Sequence, residues 1–160
     1  MDVPGCLPGV EGEHSGAVRH GAKLFYAYAE ATIPMVTVVL RKAYGGGYVS
    51  LGSRHIGADY VFCLPTAEIA VMGPESAVSV LYHKEIKAIV ENGGDVEAFK
   101  KEKAEEYRRE YANPYEAGAK GYIDDVVKPQ DVRGRVIDAF ASLSGKTVDR
   151  PNKKHGLTPA

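Results

Sequence analysis

A six-residue apolar run, MVTVVL at residues 35–40, restricts the fold of this chain more strongly than any other segment. Three valines and a threonine give it a high content of β-branched side chains, and no polar residue alternates with them. Such a run is typical of a strand that is covered on both faces by helices. Helical and strand-like patterns alternate on both sides of it, so the sequence predicts the α/β class rather than a bundle or a sandwich.

Amphipathic patterns predict the helices that cover this strand. Helical spacing of apolar residues favours a helix over residues 15–32, with Val18 and Leu24 in its buried stripe. A second helix is expected from Pro74 to about Val90, with Leu81 on its apolar side. The other expected elements are a loop over 2–12, short strands over 59–65, 68–72 and 122–127, and helices over 48–57, 96–111, 114–121 and 129–143.

Composition and charge exclude several classes of function. The 160 residues suit one domain, and 20 basic against 21 acidic side chains leave no attraction for nucleic acid or anionic membranes. Cys6 and Cys63 lie outside any CxxC pattern, which favours reduced thiols in a cytoplasmic protein. No export signal and no apolar run of membrane-spanning length is present, so we expect no direct membrane insertion.

Familiar catalytic motifs are missing from the sequence. SGKT at residues 144–147 resembles the end of a phosphate-binding loop, but Phe140 stands where that loop needs a glycine. The five histidines show no metal-ligand spacing, so we expect no metal site and interpret isolated histidines as surface or capping residues. Neither GxGxxG after a strand nor GxSxG occurs.

The glycine triplet Gly45, Gly46 and Gly47 is the remaining candidate for a functional site. It follows the strand and precedes a short helix, so two or three amides at the helix start have no intrahelical acceptor. Amides in that position outline an oxyanion hole. From spacing alone, a tight turn that only glycine permits is the better explanation of the triplet, and the oxyanion hole is the alternative.

Several longer motifs resemble the carboxyltransferase subunit of biotin-dependent acyl-CoA carboxylases and acyl-CoA decarboxylases, of the propionyl-CoA carboxylase or methylmalonyl-CoA decarboxylase type. They are DVPGCLPG (2–9), RHGAKLFYAYAEATIP (19–34), RKAYGGGY (41–48), PTAEIAVMGPE (65–75), PYEAGAKGYIDDVV (114–127) and RPNKKHG (150–156). The resemblance implies a crotonase-like ββα superhelix, with residues 1–160 forming the C-terminal half of a two-half subunit. The strand expected before Asp2 is absent, so this half is expected to be incomplete at its N-terminus.

The same resemblance implies roles for individual residues. The amides of Gly46 and Gly47 would face the ureido oxygen of biotin and stabilise charge there. Val49 matches the position that tunes acyl-chain size, and an apolar residue suits a short chain such as propionyl. Cys6 and Gly47 stand where the family usually has Phe and Ala. The residues implied to form the biotin pocket are Gly5, Cys6, Leu7, Tyr44, Gly45 and Tyr48.

The implied function is the biotin-side half of an enzyme that moves a carboxyl group between carboxybiotin and a short-chain acyl-CoA. Implied partners are the N-terminal half of a neighbouring subunit, a separate biotin carboxyl carrier, biotin carboxylase or membrane decarboxylase subunits, and further copies of the subunit. The isolated chain is then expected to be inactive. Two alternatives stay open: a non-catalytic assembly fragment, and a biotin-independent crotonase-fold acyl-CoA enzyme, which would need paired acidic residues near the glycines.

Overall fold

Two small parallel sheets and eight α-helices make up the computed structural model, which describes residues 1–6, 9–152 and 156–159. The strands are β1 (Val36–Val39), β2 (Lys42–Tyr44), β3 (Tyr60–Cys63), β4 (Glu68–Ala70) and β5 (Asp125–Val126). The helices are α1 (Val10–His14), α2 (Ala17–Glu30), α3 (Gly45–Ser50), α4 (Pro74–Leu81), α5 (His83–Glu91), α6 (Val96–Glu110), α7 (Pro114–Ala119) and α8 (Val132–Ser142). Short 3₁₀ turns lie at Arg54–Ile56 and Pro129–Asp131.

The first sheet has the strand order β1-β3-β5, and all of its pairs are parallel. Val39 pairs with Cys63, and both side chains are fully buried, as the continuous apolar run at 35–40 predicts. The α/β prediction is therefore confirmed for the described residues. Parallel pairing also places the carboxyl ends of β1, β3 and β5 at one edge of the sheet.

The second sheet pairs β2 with β4 in parallel, and Val3 extends it through a bridge to Ala43. We did not predict β2 from the sequence, because three residues are too few to show a strand period. The pairing leads directly into α3, which begins at the residue after β2. The short sheet therefore fixes where the glycine triplet lies.

Two predicted elements have different boundaries in the structure. The helix predicted over 74–90 is two helices, since Tyr82 has a non-helical backbone (φ −111°, ψ 25°) between α4 and α5. The Tyr82 ring packs edge-on against Phe99 of α6, with centroids 5.9 Å apart, so a tertiary contact holds the break. The loop predicted over 2–12 already enters a helix at Val10.

The predicted buried stripe of α2 is wrong for this chain. Val18 is 76% exposed, and no residue of α2 is buried; the helix packs mainly on α1, α3 and the turn at Arg54–Ile56. Val80 and Leu81 of α4 are also exposed, whereas Ala77 and Val78 of the same helix are buried. The apolar spacing is present in the sequence, but the described residues cover only one side of each helix and leave these apolar side chains exposed.

No helix within residues 1–6, 9–152 and 156–159 combines the length and the apolar character that spanning a bilayer requires.

Candidate functional site

Gly45 starts α3 in a conformation that only glycine adopts easily. Its φ is +54°, and an added Cβ would lie 2.6 Å from the carbonyl oxygen of Val71, just beyond β4. Tyr44, the N-cap residue, is extended and makes no side-chain cap bond to the helix. The first amides of α3 are therefore left uncapped by the chain itself.

The next two glycines differ in their surroundings. A Cβ on Gly46 would lie 3.8 Å from the Cys6 sulfur, which is ordinary contact, so glycine is not sterically required there. A Cβ on Gly47 would lie 2.7 Å from Val3 Cγ2 and 3.3 Å from Gly5 Cα. The segment from Val3 to Cys6 thus lies directly against the triplet, and the role of Gly5 and Cys6 in a biotin pocket stays a prediction.

The amides of Gly46 and Gly47 have no hydrogen-bond acceptor outside their own helix among the described residues. Amides in the first turn of a helix also lack an acceptor within it. Two N–H groups are therefore available to an oxygen atom that approaches the triplet. This is the arrangement that an oxyanion hole needs.

A cavity of about 870 Å³ opens beside these amides. Gly45, Gly46, Tyr48 and Val49, all predicted site residues, line one of its sides. The opposite sides come from the end of β4, from α4, α6 and α7, and they include Met72, Val80, Leu81, Tyr107 and Tyr111. The structure therefore brings Gly45, Gly46 and the predicted selectivity residue Val49 to one largely apolar cavity, whereas Gly47 is buried and does not line it.

Tyr44 faces away from this cavity. Its side chain is 4% exposed, and its hydroxyl donates a hydrogen bond to Glu68 of β4. Burial and the Glu68 carboxylate raise the pKa of the Tyr44 phenol. Glu68 in turn accepts from Nε of Arg108 on α6 at 3.2 Å. The Tyr44 side chain therefore ties the start of α3 to α6, and a direct cofactor contact for it stays a prediction.

Tyr48 and His55 form an aromatic wall of the cavity together with Tyr122. The Tyr48 hydroxyl donates to the Tyr122 carbonyl oxygen at 3.4 Å, and burial raises the pKa of Tyr48 to about 12. His55 packs edge-on to Tyr48 at 5.6 Å and tilted over Tyr122 at 4.7 Å. Sequence reasoning interpreted His55 as a lone surface residue, and no spacing signal links it to Tyr122.

Three carboxylates, which the sequence did not place near the glycines, also line the cavity: Glu106, Glu110 and Glu116. Glu106 and Glu116 are each held in an ion pair at 2.7 Å, with Lys103 and Lys120 respectively. No group of three His, Cys, Asp or Glu side chains in the described ranges could hold a metal ion. Leu7 lies outside the described residues.

The carboxyl transferase domain family matches residues 1–158, which is almost the whole chain. The chain belongs to this family.

Two curated carboxyl transferase relatives align over 99% of the chain. The propionyl-CoA carboxylase carboxyltransferase subunit of Haloferax mediterranei is 52% identical over 159 residues. The methylmalonyl-CoA decarboxylase subunit alpha of Propionigenium modestum is also 52% identical over 159 residues. The chain spans 30% of the length of each of these relatives.

A solved structure of another carboxyl transferase gives the same fold. The transcarboxylase 12S hexamer, with methylmalonyl-CoA and methylmalonic acid bound, matches with a TM-score of 0.90 and 51% identity. The match covers 100% of this chain and 30% of that chain. The predicted crotonase-like carboxyltransferase fold is therefore confirmed, and the assignment to a C-terminal half stays a prediction.

Proposed function

We propose that this chain forms the biotin-side half of a carboxyltransferase active site, which moves a carboxyl group between biotin and a short-chain acyl-CoA. The observation that carries the proposal is the pair of adjacent open amides at Gly46 and Gly47, of which Gly46 lines the cavity. The names of the relatives support the substrate class, since they include a propionyl-CoA carboxylase and a methylmalonyl-CoA decarboxylase.

The residues around the triplet fit a biotin ring. Gly46 is exposed and lines the cavity, so a flat ring can approach it. The adjoining cavity offers apolar walls and a volume of about 870 Å³. Biotin, when bound, supplies a ureido nitrogen that carries the transferred carboxyl group and a ureido oxygen that gains negative charge.

The chain's own residues hold that oxygen and shape its surroundings. The Gly46 and Gly47 amides donate to it, and donors fixed before the reaction stabilise developing charge most effectively. The Tyr48 phenol is neutral at physiological pH, and burial raises its pKa further, to about 12. A neutral aromatic wall keeps water from the donors without adding a charge that competes with them.

The acyl-CoA half of the reaction needs residues beyond these 160. We propose that an N-terminal carboxyltransferase half from a neighbouring subunit supplies them, and that biotin arrives on a carrier domain or subunit in the cytoplasm. Hexamer assembly of transcarboxylase 12S, described as a multienzyme core, supports a homo-oligomer with further partners. We propose biotin carboxylase or membrane decarboxylase subunits as these partners. Val49 lines the cavity and is proposed to set a preference for propionyl-sized groups.

The test replaces Gly46 in the chain assembled with an N-terminal half. Gly46→Pro removes one donor, and proline is tolerated in a first helical turn. Loss of an oxyanion donor lowers the rate by roughly 10²–10³. Gly46→Ala keeps the N–H and has room for its methyl group, so it is the matched control. A folded proline variant with the wild-type transfer rate would contradict the proposal.

The same assay separates the two alternatives. A non-catalytic assembly fragment predicts that neither Gly46 variant changes transfer. A biotin-independent acyl-CoA hydratase or isomerase depends on acidic residues, and Glu110 and Glu116 line the cavity. We expect Glu110→Gln and Glu116→Gln to leave the biotin-dependent step intact, because Glu116 is already paired with Lys120 at 2.7 Å.

A further inference from the structure

We propose that His55 is a further ligand-contacting residue of the cavity, with its imidazole hydrogen-bonded to the ureido ring of biotin. This inference rests on the proposed function, since it concerns the ligand of the same cavity. The side chain reaches the cavity from the turn Arg54–Ile56 and lines it together with Gly46 and Val49. It therefore faces the same cavity as Gly46.

The imidazole ring is fixed in orientation by its two aromatic neighbours. Tyr48 meets it edge-on, with an interplanar angle of 87° and centroids 5.6 Å apart. Tyr122 lies on its other side at 4.7 Å, with an interplanar angle of 35°. Aromatic contacts of this kind favour defined ring geometries. The ring nitrogens are thereby held in defined directions at the cavity wall.

The turn that carries His55 is itself anchored. Arg54 donates to the carbonyl oxygens of Ala58 and Asp59 at 3.2 and 2.9 Å, and it also forms an ion pair with Asp124. Asp124 lies two residues after Tyr122, so the ion pair connects the two segments that enclose the imidazole. This support keeps His55 beside the glycine triplet without any bond from the imidazole itself.

The two imidazole nitrogens have no hydrogen-bond or ion-pair partner among the described residues. Water can satisfy them while the cavity is open, because the side chain is exposed. A ligand that displaces this water must replace the lost hydrogen bond, since an unpaired polar group in an apolar cavity weakens binding. The ureido ring of biotin offers a carbonyl acceptor and N–H donors on a single edge, and imidazole can match either.

Three substitutions separate hydrogen bonding from ring packing. His55→Phe keeps an aromatic ring between Tyr48 and Tyr122 and removes both nitrogens. His55→Gln and His55→Asn place an amide near the positions of Nε2 and Nδ1 and remove the ring. His83→Phe is the matched control, because His83 starts α5 and does not line the cavity.

The experiment measures the affinity of biotinyl-lysine by calorimetry, on the chain assembled with an N-terminal half and without the carrier. Biotinyl-lysine has the ureido ring of carrier-bound biotin, and its side-chain carboxylate is already in an amide bond. We expect His55→Phe to weaken binding roughly 3- to 10-fold, as loss of one hydrogen bond does. At least one of the Gln and Asn variants should bind within about twofold of wild type, and His83→Phe should be unchanged.

The other outcomes overturn the inference. Wild-type affinity in His55→Phe would show that the nitrogens make no contact with the ligand. Equal losses in His55→Phe, His55→Gln and His55→Asn would show that His55 acts only through packing. Failure of the proposed function looks different, because then Gly46→Pro would bind biotinyl-lysine as tightly as wild type. Circular dichroism of each variant confirms that the fold is retained.

Discussion

The carbonyl oxygen of Val71 lies where a side chain on Gly45 would have to be, 2.6 Å from the ideal Cβ position. This oxygen belongs to the backbone and cannot rotate away as a side chain could, and the φ of Gly45 is +54°. Both the space around Gly45 and its backbone conformation therefore require glycine at this position. Gly46 has no such structural requirement, so it is available for ligand binding.

Gly45→Ala is expected to destabilise the chain strongly. The methyl group meets a backbone oxygen in a conformation that L-residues rarely adopt, so a cost of about 2–4 kcal/mol is expected. Gly46→Ala is the matched control in the adjacent position, and its cost should stay below about 1 kcal/mol. Urea unfolding of the two variants measures both values, and equal midpoints would contradict the steric argument.

The effect of Gly47→Ala on stability is expected to depend on Val3. The added methyl group would lie 2.7 Å from Val3 Cγ2. An alanine here is therefore tolerated only if Val3 moves. We expect a cost of about 1–2 kcal/mol from this overpacking.

The double variant Val3→Ala with Gly47→Ala should recover part of the loss. Its cost should be smaller than the sum of the two single costs, because the clash is removed. Additive costs by urea unfolding would show that the two residues do not interfere.

Stability should fall at alkaline pH because of Tyr48. Burial raises the pKa of this phenol to about 12, from an ordinary value of 10.0. The folded state then holds a proton that the unfolded state releases, so the contribution is complete below pH 10 and is lost as pH rises towards 12. Tyr48→Phe should show a shallower decline in unfolding free energy between these two pH values. An unchanged slope in the variant would refute the assignment to Tyr48.

The ion pair between Asp59 and Lys146 is expected to stabilise the C-terminal segment against the first sheet. Their charged atoms are 2.8 Å apart, and Asp59 also accepts from the Met35 amide at 2.7 Å. Burial opposes the charge of Asp59, but these two donors outweigh it and hold the pKa of the carboxyl below its usual range. Lys146→Met should cost about 2 kcal/mol, since it leaves a carboxylate partly buried and unpaired.

The pH dependence of stability gives the control for the ion pair between Asp59 and Lys146. A lowered pKa means that the contribution is present above the ordinary value of 3.8 and is lost as pH falls through the folded value. Asp59→Asn should remove that part of the acid sensitivity, whereas substitution of Asp2 should leave it in place. Identical acid unfolding of Asp59→Asn and wild type would count against the pair.

Val49→Asp is expected to change acyl-chain preference in the assembled enzyme. Val49 lines the cavity and packs against the core cluster, so a carboxylate there alters the polarity of the wall. Discrimination of one methylene is worth at most about 1–3 kcal/mol, so the ratio of kcat/KM for propionyl-CoA and acetyl-CoA should change modestly. Val49→Thr preserves the shape and should keep the ratio near wild type. An unchanged kcat/KM ratio in Val49→Asp would show that Val49 does not determine acyl-chain selectivity.

Local patterns in the sequence predicted most of the fold. The run at 35–40, the proline at the start of α4 and the glycine triplet each act through their own backbone geometry, so one segment suffices to recognise them. Exposure of Val18 and Leu81 could not be predicted in this way, since apolar spacing records that a face is buried but not by which element.

The candidate site was predicted only where its parts are close in sequence. The contacts of His55 with Tyr122 and of Tyr44 with Glu68 join segments that are far apart in the chain, and neither pair has a spacing signal. Lys146 is a further residue whose contact could not be predicted from the sequence. Its SGKT segment lacks the glycine that a phosphate-binding loop needs, but only the folded chain reveals that Lys146 pairs with Asp59.

The packing of Gly45 against Val71 and of Gly47 against Val3 has a dynamic consequence. Three stretches of the chain, each distant from the others in sequence, meet at the triplet. Local opening of β4 or of the Val3 segment would remove the contacts that hold the backbone of the triplet in place. The arrangement of the two amides is therefore a property of the cooperative native state, and we expect it to be lost when either β4 or the Val3 segment detaches.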